Sequence, residues 1–306
     1  MTASIFSCST DWKSIYRNYY NSAVNQKSDE LTLKVALCHL FGFDVKENII
    51  NYKMAFSLFK KCESNLWLGF CYLNGKGVSH NFDTALKYLK KCNSAKSILL
   101  QGMTLEKKNG IVLDKKNEIS ESQKLYNRSF IKLLEEAVNG DPVSQFFLGM
   151  CYRYGCGTIK DEVQAYYWFN KASLNGIIDA RYNMGVCLHD EIGCEKNINR
   201  AIEEYKSCQF YGHGTAISIL GWCYYNNLCN DIKTEEKRNK KTLELFHKSV
   251  TVYNNKIGLY SLGMVYENGY CGVEKNISKA IEYYKKSAEQ DFNRAQNALR
   301  RLNRVS

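Results

Sequence analysis

Apolar residues recur along this chain with a helical period, in paired blocks separated by short polar turns. In one block Ser144, Leu148, Gly149 and Tyr152 fall on a single helical face. In the next, Ala165, Trp168, Phe169 and Ala172 do the same. Gly155 and Gly157 lie between them and predict the end of the first helix, because glycine tolerates the left-handed backbone that a helix terminus often needs. Asp161 stands where a side-chain oxygen can accept from the open amides of the second helix, and Asn197 and Asn276 hold comparable positions. The unit is therefore a helical hairpin. A single hairpin cannot bury both of its faces, so neighbouring hairpins must stack.

The unit repeats. Gly149, Gly185 and Gly221 lie 36 residues apart, as do Gly140, Gly176 and Gly212, and Ala165 and Ala201. Gly69 and Gly263, with Ala85 and Ala280, extend the series at less regular intervals. A period of this length marks a stacked array. The pattern predicts seven hairpins, at 31–62, 64–92, 95–138, 143–174, 178–211, 214–252 and 256–289. A capping helix is expected near Asp11 to Asn25, with Trp12, Ile15, Tyr16 and Tyr19 as its apolar stripe, and another near Asp291 to Asn303. The resulting organisation is a cap over 1–30, worn repeats over 31–128, regular repeats over 129–290 and a second cap over 291–306. The second helices ending at Lys61 and Lys91 look shortened. Charged loops are expected at Leu105 to Ser120 and Asn230 to Lys241, as solvated slack or as contact loops. Gly269, Tyr270, Cys271 and Gly272 add a residue to the usual Gly-x-Gly turn.

The stretches "SQFFLGMCYRYGCGTIKDEVQAYYWFNKASLNG", "ARYNMGVCLHDEIGCEKNINRAIEEYKSC" and "GLYSLGMVYENGYCGVEKNISKAIEYYKKSAEQ" resemble the Sel1-like repeat family, a relative of tetratricopeptide repeats. "WLGFCYLNGKGVSHNFDTALKYLKK" resembles it too. The resemblance implies an all-α, right-handed α-solenoid of about seven antiparallel hairpins with capping helices. It also implies that the residue after the seam glycine, and the one three further on, face a partner. Those residues are Met150 and Arg153, Val186 and His189, Trp222 and Tyr225, and Met264 and Glu267. Trp222 and Tyr225 lead, because such rings dominate interface hot spots. The competing expectation is that Trp222 packs against the next hairpin. By the same resemblance the chain is a non-catalytic scaffold or adaptor for a partner protein or peptide. Members of the family include quality-control adaptors, regulators of membrane-associated enzymes such as fungal chitin synthase, and bacterial effectors.

Composition adjusts this picture little. Hydrophobic residues make up 45% of 306, enough for a sizeable core, and a single proline leaves long helices unbroken. The net charge of +11 is spread as lysine pairs such as Lys60-Lys61, Lys90-Lys91 and Lys285-Lys286. That spread reads as a solvated helical surface. The second functional reading is a basic repeat protein that binds nucleic acid or an anionic surface, which would show a steep salt dependence. No apolar run approaches 18 residues, and the first residues lack the order of a signal peptide, so the expectation is a cytoplasmic protein without a membrane span.

Candidate chemistry is sparse. Cys71, Cys151, Cys187 and Cys223 all stand two residues after a seam glycine, and Cys62, Cys92 and Cys208 share a late second-helix position. Seven of 13 cysteines thus read as small buried apolar residues with reduced thiols. No C-x-x-C and no H-x-x-x-H occurs, so no metal site is expected. "GCGTIK" and "GKGVSH" do not continue into a phosphate-loop signature. No nucleophile-base constellation stands out. No catalysis, cofactor or small-molecule substrate is expected.

Overall fold

The computed structural model describes residues 28–42, 50–109 and 120–303. The helix expected near Asp11 to Asn25 lies outside them. The described residues form fifteen α-helices and one 3-10 turn, with no strand. In chain order the helices are α1 (Asp29–Phe41), α2 (Tyr52–Lys61), α3 (Asn65–Asn74), α4 (Phe82–Leu89), α5 (Ala95–Asn109), α6 (Glu121–Val138), α7 (Pro142–Tyr154) and α8 (Glu162–Leu174). They continue as α9 (Ile178–Asp190), α10 (Ile198–Phe210), α11 (Gly214–Tyr225), α12 (Glu235–Thr251), α13 (Lys256–Asn268), α14 (Ile277–Ala288) and α15 (Asn293–Leu302).

The chain divides into two compact units, residues 1–196 and 197–306, with the boundary in the turn between α9 and α10. In the first unit α1 packs on α2, α3 on α4, α5 on α6 and α7 on α8, and α9 packs on α8. In the second, α10 packs on α11, α11 on α12, α13 on α14, and α15 on α14. This is the all-α hairpin array that the repeat pattern predicts.

The same local devices build each unit. The second helices α2, α4, α8, α10 and α14 open on Asn51, Asn81, Asp161, Asn197 and Asn276, whose side-chain oxygens accept from the backbone N–H three residues on at 2.8–3.0 Å. Each cap contributes about 1 kcal/mol. Several first helices end on a left-handed residue, Gly155 at φ 74° after α7 and Glu191 at φ 60° after α9. Glutamate there costs on the order of 1 kcal/mol that glycine avoids. The second glycine of the turn does a different job from the one expected. A Cβ on Gly157 would strike the Tyr126 carbonyl of the preceding hairpin, and one on Gly193 would strike that of Glu162. These glycines let a turn rest directly on the second helix of its neighbour.

Two boundaries differ from the sequence expectation. Leu105 to Asn109 extends α5, and only 110–119 of the expected loop lies outside the described residues. Lys107 and Lys108 sit in the last turn of α5, where they complement the helix dipole. Glu235 to Lys241 is likewise helical, with Glu235 and Glu236 in the favourable first turn of α12. The extra residue after Gly269 is absorbed by a 3-10 turn at Tyr270–Gly272, in which Cys271 is left-handed.

Several hairpins close on a seam glycine. A Cβ on Gly149 would strike the Phe169 ring, on Gly221 the Phe246 ring, on Gly102 the Tyr126 ring and on Gly263 the Tyr284 ring. Phe169, Phe246 and Tyr284 are wholly buried, each stabilising its hairpin by about 1.5–3 kcal/mol. The cysteines at the seam, Cys71, Cys151, Cys187 and Cys223, are buried there, and burial pushes the Cys187 thiol up to about 11.

The first unit has a second layer of contacts. Phe41 of α1 meets Phe146 of α7 with ring centroids 6.4 Å apart, and Phe70 of α3 meets Phe147 at 6.1 Å. Beyond them Lys76 Nζ reaches Asp179 Oδ2 of α9 at 2.8 Å. The first helices of early hairpins thus touch those of the fourth and fifth.

Candidate functional site

The candidate positions are those on the first helices one and four residues after each seam glycine, four pairs of them, two in each unit. These positions cannot turn fully inward, because the glycine between helices fixes which side of the helix meets its own hairpin. Met150, Arg153, Val186, His189, Trp222, Tyr225, Met264 and Glu267 are all half-buried.

Their surroundings separate them. In the first unit Arg153 donates from Nη1 to the Cys187 thiol at 3.7 Å and lies 5.8 Å from the Tyr154 ring centroid. It forms no ion pair among the described residues, so its guanidinium is the most available charge at these positions.

In the second unit Trp222 is tied into the seam. Its Nε1 donates to Ser261 Oγ of α13 at 2.8 Å, and its ring lies 5.3 Å from Phe246. It packs with Phe246, Leu262 and Val265, and the Tyr270 ring joins the same cluster. Tyr225 stands edge-on to Trp222 at 5.5 Å and 5.3 Å from Tyr270. Trp222 therefore packs against the next hairpin, while Tyr225 forms the outer end of the aromatic row. Met264, like Tyr260 and Phe292, packs against the buried cluster of Ala280, Tyr284, Ala295 and Ala298.

Glu267 is engaged within the chain. Tyr284 of its own hairpin donates to Oε2 at 2.6 Å, and Arg301 of α15 grips both carboxylate oxygens, at 2.6 Å and 2.9 Å. Burial works against ionisation of Glu267, but the Arg301 and Tyr284 hydrogen bonds outweigh it and hold the carboxyl below its ordinary value.

A counterpart of this arrangement, unmarked by the repeat motif, lies in the third hairpin. Gly102 is preceded by Gln101 where other seam glycines follow leucine or methionine, so it falls outside the repeated series. There Tyr126 packs on Gly102 as Tyr284 packs on Gly263, and its hydroxyl donates to Glu106 Oε2 at 2.6 Å. Glu106 and Glu267 both stand four residues after their glycines. Where the opposing ring is phenylalanine, the same position carries Arg153 or Tyr225. A tyrosine hydroxyl buried at the seam needs an acceptor, and glutamate at this position supplies it.

Also outside the sequence reading is a buried ionic cluster between the third and fourth hairpins. Lys96 Nζ contacts Glu136 Oε2 at 2.5 Å and Asp141 Oδ2 at 3.4 Å, and Ser144 Oγ donates to Glu136 at 2.7 Å. It knits α5, α6 and α7 together. Its members are scattered in sequence and follow no motif. Among the described residues no three His, Cys, Asp or Glu side chains are grouped to hold a metal ion, and no helix is long and apolar enough to cross a membrane.

With the hairpins and their seams in place, comparison with known proteins gives a family. The Sel1 repeat model matches residues 32–61, 62–91, 142–177, 178–203 and 257–292, more than half of the chain. The chain belongs to the Sel1-repeat family. Two of its matches lie in the N-terminal portion, where the repeats read as worn in sequence. Among curated relatives, chitin synthase regulatory factor 3 of Schizosaccharomyces pombe is 24% identical over 167 residues, covering 53% of this chain and 18% of that protein. Chitin synthase regulator SKT5 of Saccharomyces cerevisiae is 22% identical over 203 residues, covering 63% and 29%. The chain spans less than a third of the length of either. A Sel1 repeat protein from Oxalobacter formigenes, solved as a crystal structure, aligns at 21% identity with a TM-score of 0.48, covering 78% of this chain and 94% of that one.

Proposed function

We propose that this chain is a non-catalytic scaffold that binds a partner protein or peptide along the exposed face of its first helices, and that through this contact it regulates a partner enzyme. The observation that carries the reading is the set of half-buried, chemically varied side chains at a repeated position. Repeat packing constrains most seam residues to glycine and rings, whereas these positions hold Met150, Arg153, His189, Tyr225 and Met264, with Glu267 taken up by Tyr284 and Arg301. Variation at a position that packing leaves open is what a recognition surface needs. Regulation as the role draws support from the two fungal relatives, both named as regulators of chitin synthase.

The test is affinity capture from native cells with the intact chain beside a Tyr225→Ala, Met264→Ala double variant. The variant must first match the parent in circular dichroism and thermal melt. A discrete partner that the parent retains and the variant loses supports the reading. An identical set of captured proteins with both moves binding off this face.

A further inference from the structure

We propose that the Glu106–Tyr126 pair is a seat for an arginine side chain of a partner peptide. The inference rests on the scaffold reading above and deepens it. The argument is internal to the repeat. Glu267 and Tyr284 form the same pair, with the tyrosine ring on the seam glycine and its hydroxyl 2.6 Å from the carboxylate, as in Glu106 and Tyr126. In the last hairpin that carboxylate is filled by a guanidinium, as Arg301 meets Oε1 and Oε2 in a two-pronged contact. Arginine suits this site because its planar fork matches a carboxylate held in one orientation, and the tyrosine hydroxyl supplies that orientation.

Among the described residues no guanidinium occupies the third hairpin's pair. In register, Arg301 corresponds to Met150 of α7, which has no donor to offer. Among the described residues Glu106 makes no ion pair. The two lysines beside it turn to the preceding hairpin, where Lys108 pairs with Asp83 and Lys107 reaches Asn74 Oδ1 at 3.5 Å. Glu106 is half-buried, so a guanidinium seated on it exchanges little water for a strong contact. The chain therefore fills this seat with Arg301 of α15 in the last hairpin and, among the described residues, leaves its counterpart in the first unit unfilled.

The test selects heptapeptides from a random display library on the immobilised full chain, then titrates the best synthetic peptide by calorimetry. Arginine is expected at one fixed position of the selected peptides. Glu106→Gln should weaken the peptide by about tenfold or more, the scale for removing one partner of a desolvated charge pair. Replacing the peptide's arginine with lysine should weaken it as well. Arg301→Ala should uncover the second seat and raise the stoichiometry from one peptide per chain to two. Should Glu106→Gln fail to fold, the stoichiometry measurement still decides the matter. Peptides selected without arginine, or a stoichiometry that stays at one, overturn the seat and leave the scaffold reading standing. A chain that selects no peptide at all counts against both.

Discussion

Lys76 and Asp179 meet at 2.8 Å although 103 residues separate them in the chain, and their side chains are only 16% and 11% exposed. Lys76 also lies over the Tyr52 ring at 4.7 Å. Burial alone would lower the lysine's proton affinity, but Asp179 and Tyr52 reverse this and raise it. Removing Lys76 takes its close partner from a buried carboxylate. Lys76→Met is therefore expected to destabilise the first unit by about 3–5 kcal/mol, and a Lys76→Met, Asp179→Leu double variant should recover most of the loss. Urea unfolding of the four members of this cycle measures it, and a double variant no better than the single would show that the pair's charges are not coupled.

Glycines of the turn differ in what surrounds them, and substitution should reveal it. Gly157→Ala must place a Cβ against the Tyr126 carbonyl, whereas Gly272→Ala, with φ of 71°, meets nothing within 4 Å. The second should cost only left-handed strain, about 1–2 kcal/mol. The first adds a backbone clash between hairpins and should cost clearly more, or fail to fold. Paired thermal melts compare them, and equal losses would mean that the turn-to-helix contact is not tight.

Much of the array was legible in the sequence because repetition exposes whatever packing demands. Gly149 and Phe169, or Asp161 and the amides it caps, recur at fixed spacing, so hairpin bounds could be read directly. Repetition conceals what occurs once. Lys76 with Asp179, and Lys96 with Glu136, depend on residues brought together by stacking, and no local pattern marks them. The candidate face was half legible. Its positions followed from the seam glycine, but the use of each side chain did not. Glu267 belongs to Tyr284 and Arg301, and Trp222 to Ser261, because the identity of the neighbouring residue decides what an outward position can do.

The Lys96 cluster gives the first unit a pH dependence. Burial disfavours the Glu136 carboxylate, yet the Lys96 and Ser144 contacts outweigh it, so the folded chain holds this carboxyl below its ordinary value. Its contribution to stability is present in full above the pH at which an unfolded glutamate titrates, about 4.3. It is lost as the pH falls through the lower folded value. Lys96→Met removes the cause of the shift. Urea midpoints measured from pH 7 down to pH 3 should fall less steeply for Lys96→Met than for the parent. Parallel curves would place the acid sensitivity elsewhere.

Trp222 and Tyr225 stand next to each other, yet they should respond unequally to substitution. The Trp222 indole N–H is satisfied by Ser261, whose own hydroxyl donates to the Ile257 carbonyl at 2.8 Å. Ser261→Ala strands the indole donor and should cost about 1–3 kcal/mol. Trp222→Ala also empties the seam beside Phe246 and should cost about 3–5 kcal/mol. Tyr225 touches Trp222 and Tyr270 only along the outer edge of that cluster, and Tyr225→Ala should cost less than either. Denaturation curves rank the three. A partner lost with Trp222→Ala would then report unfolding, whereas one lost with Tyr225→Ala, on a chain of near-parental stability, would report the binding face. If Tyr225→Ala proves as damaging as Trp222→Ala, both rings are structural, and recognition shifts to Arg153 and the Glu106 seat in the first unit.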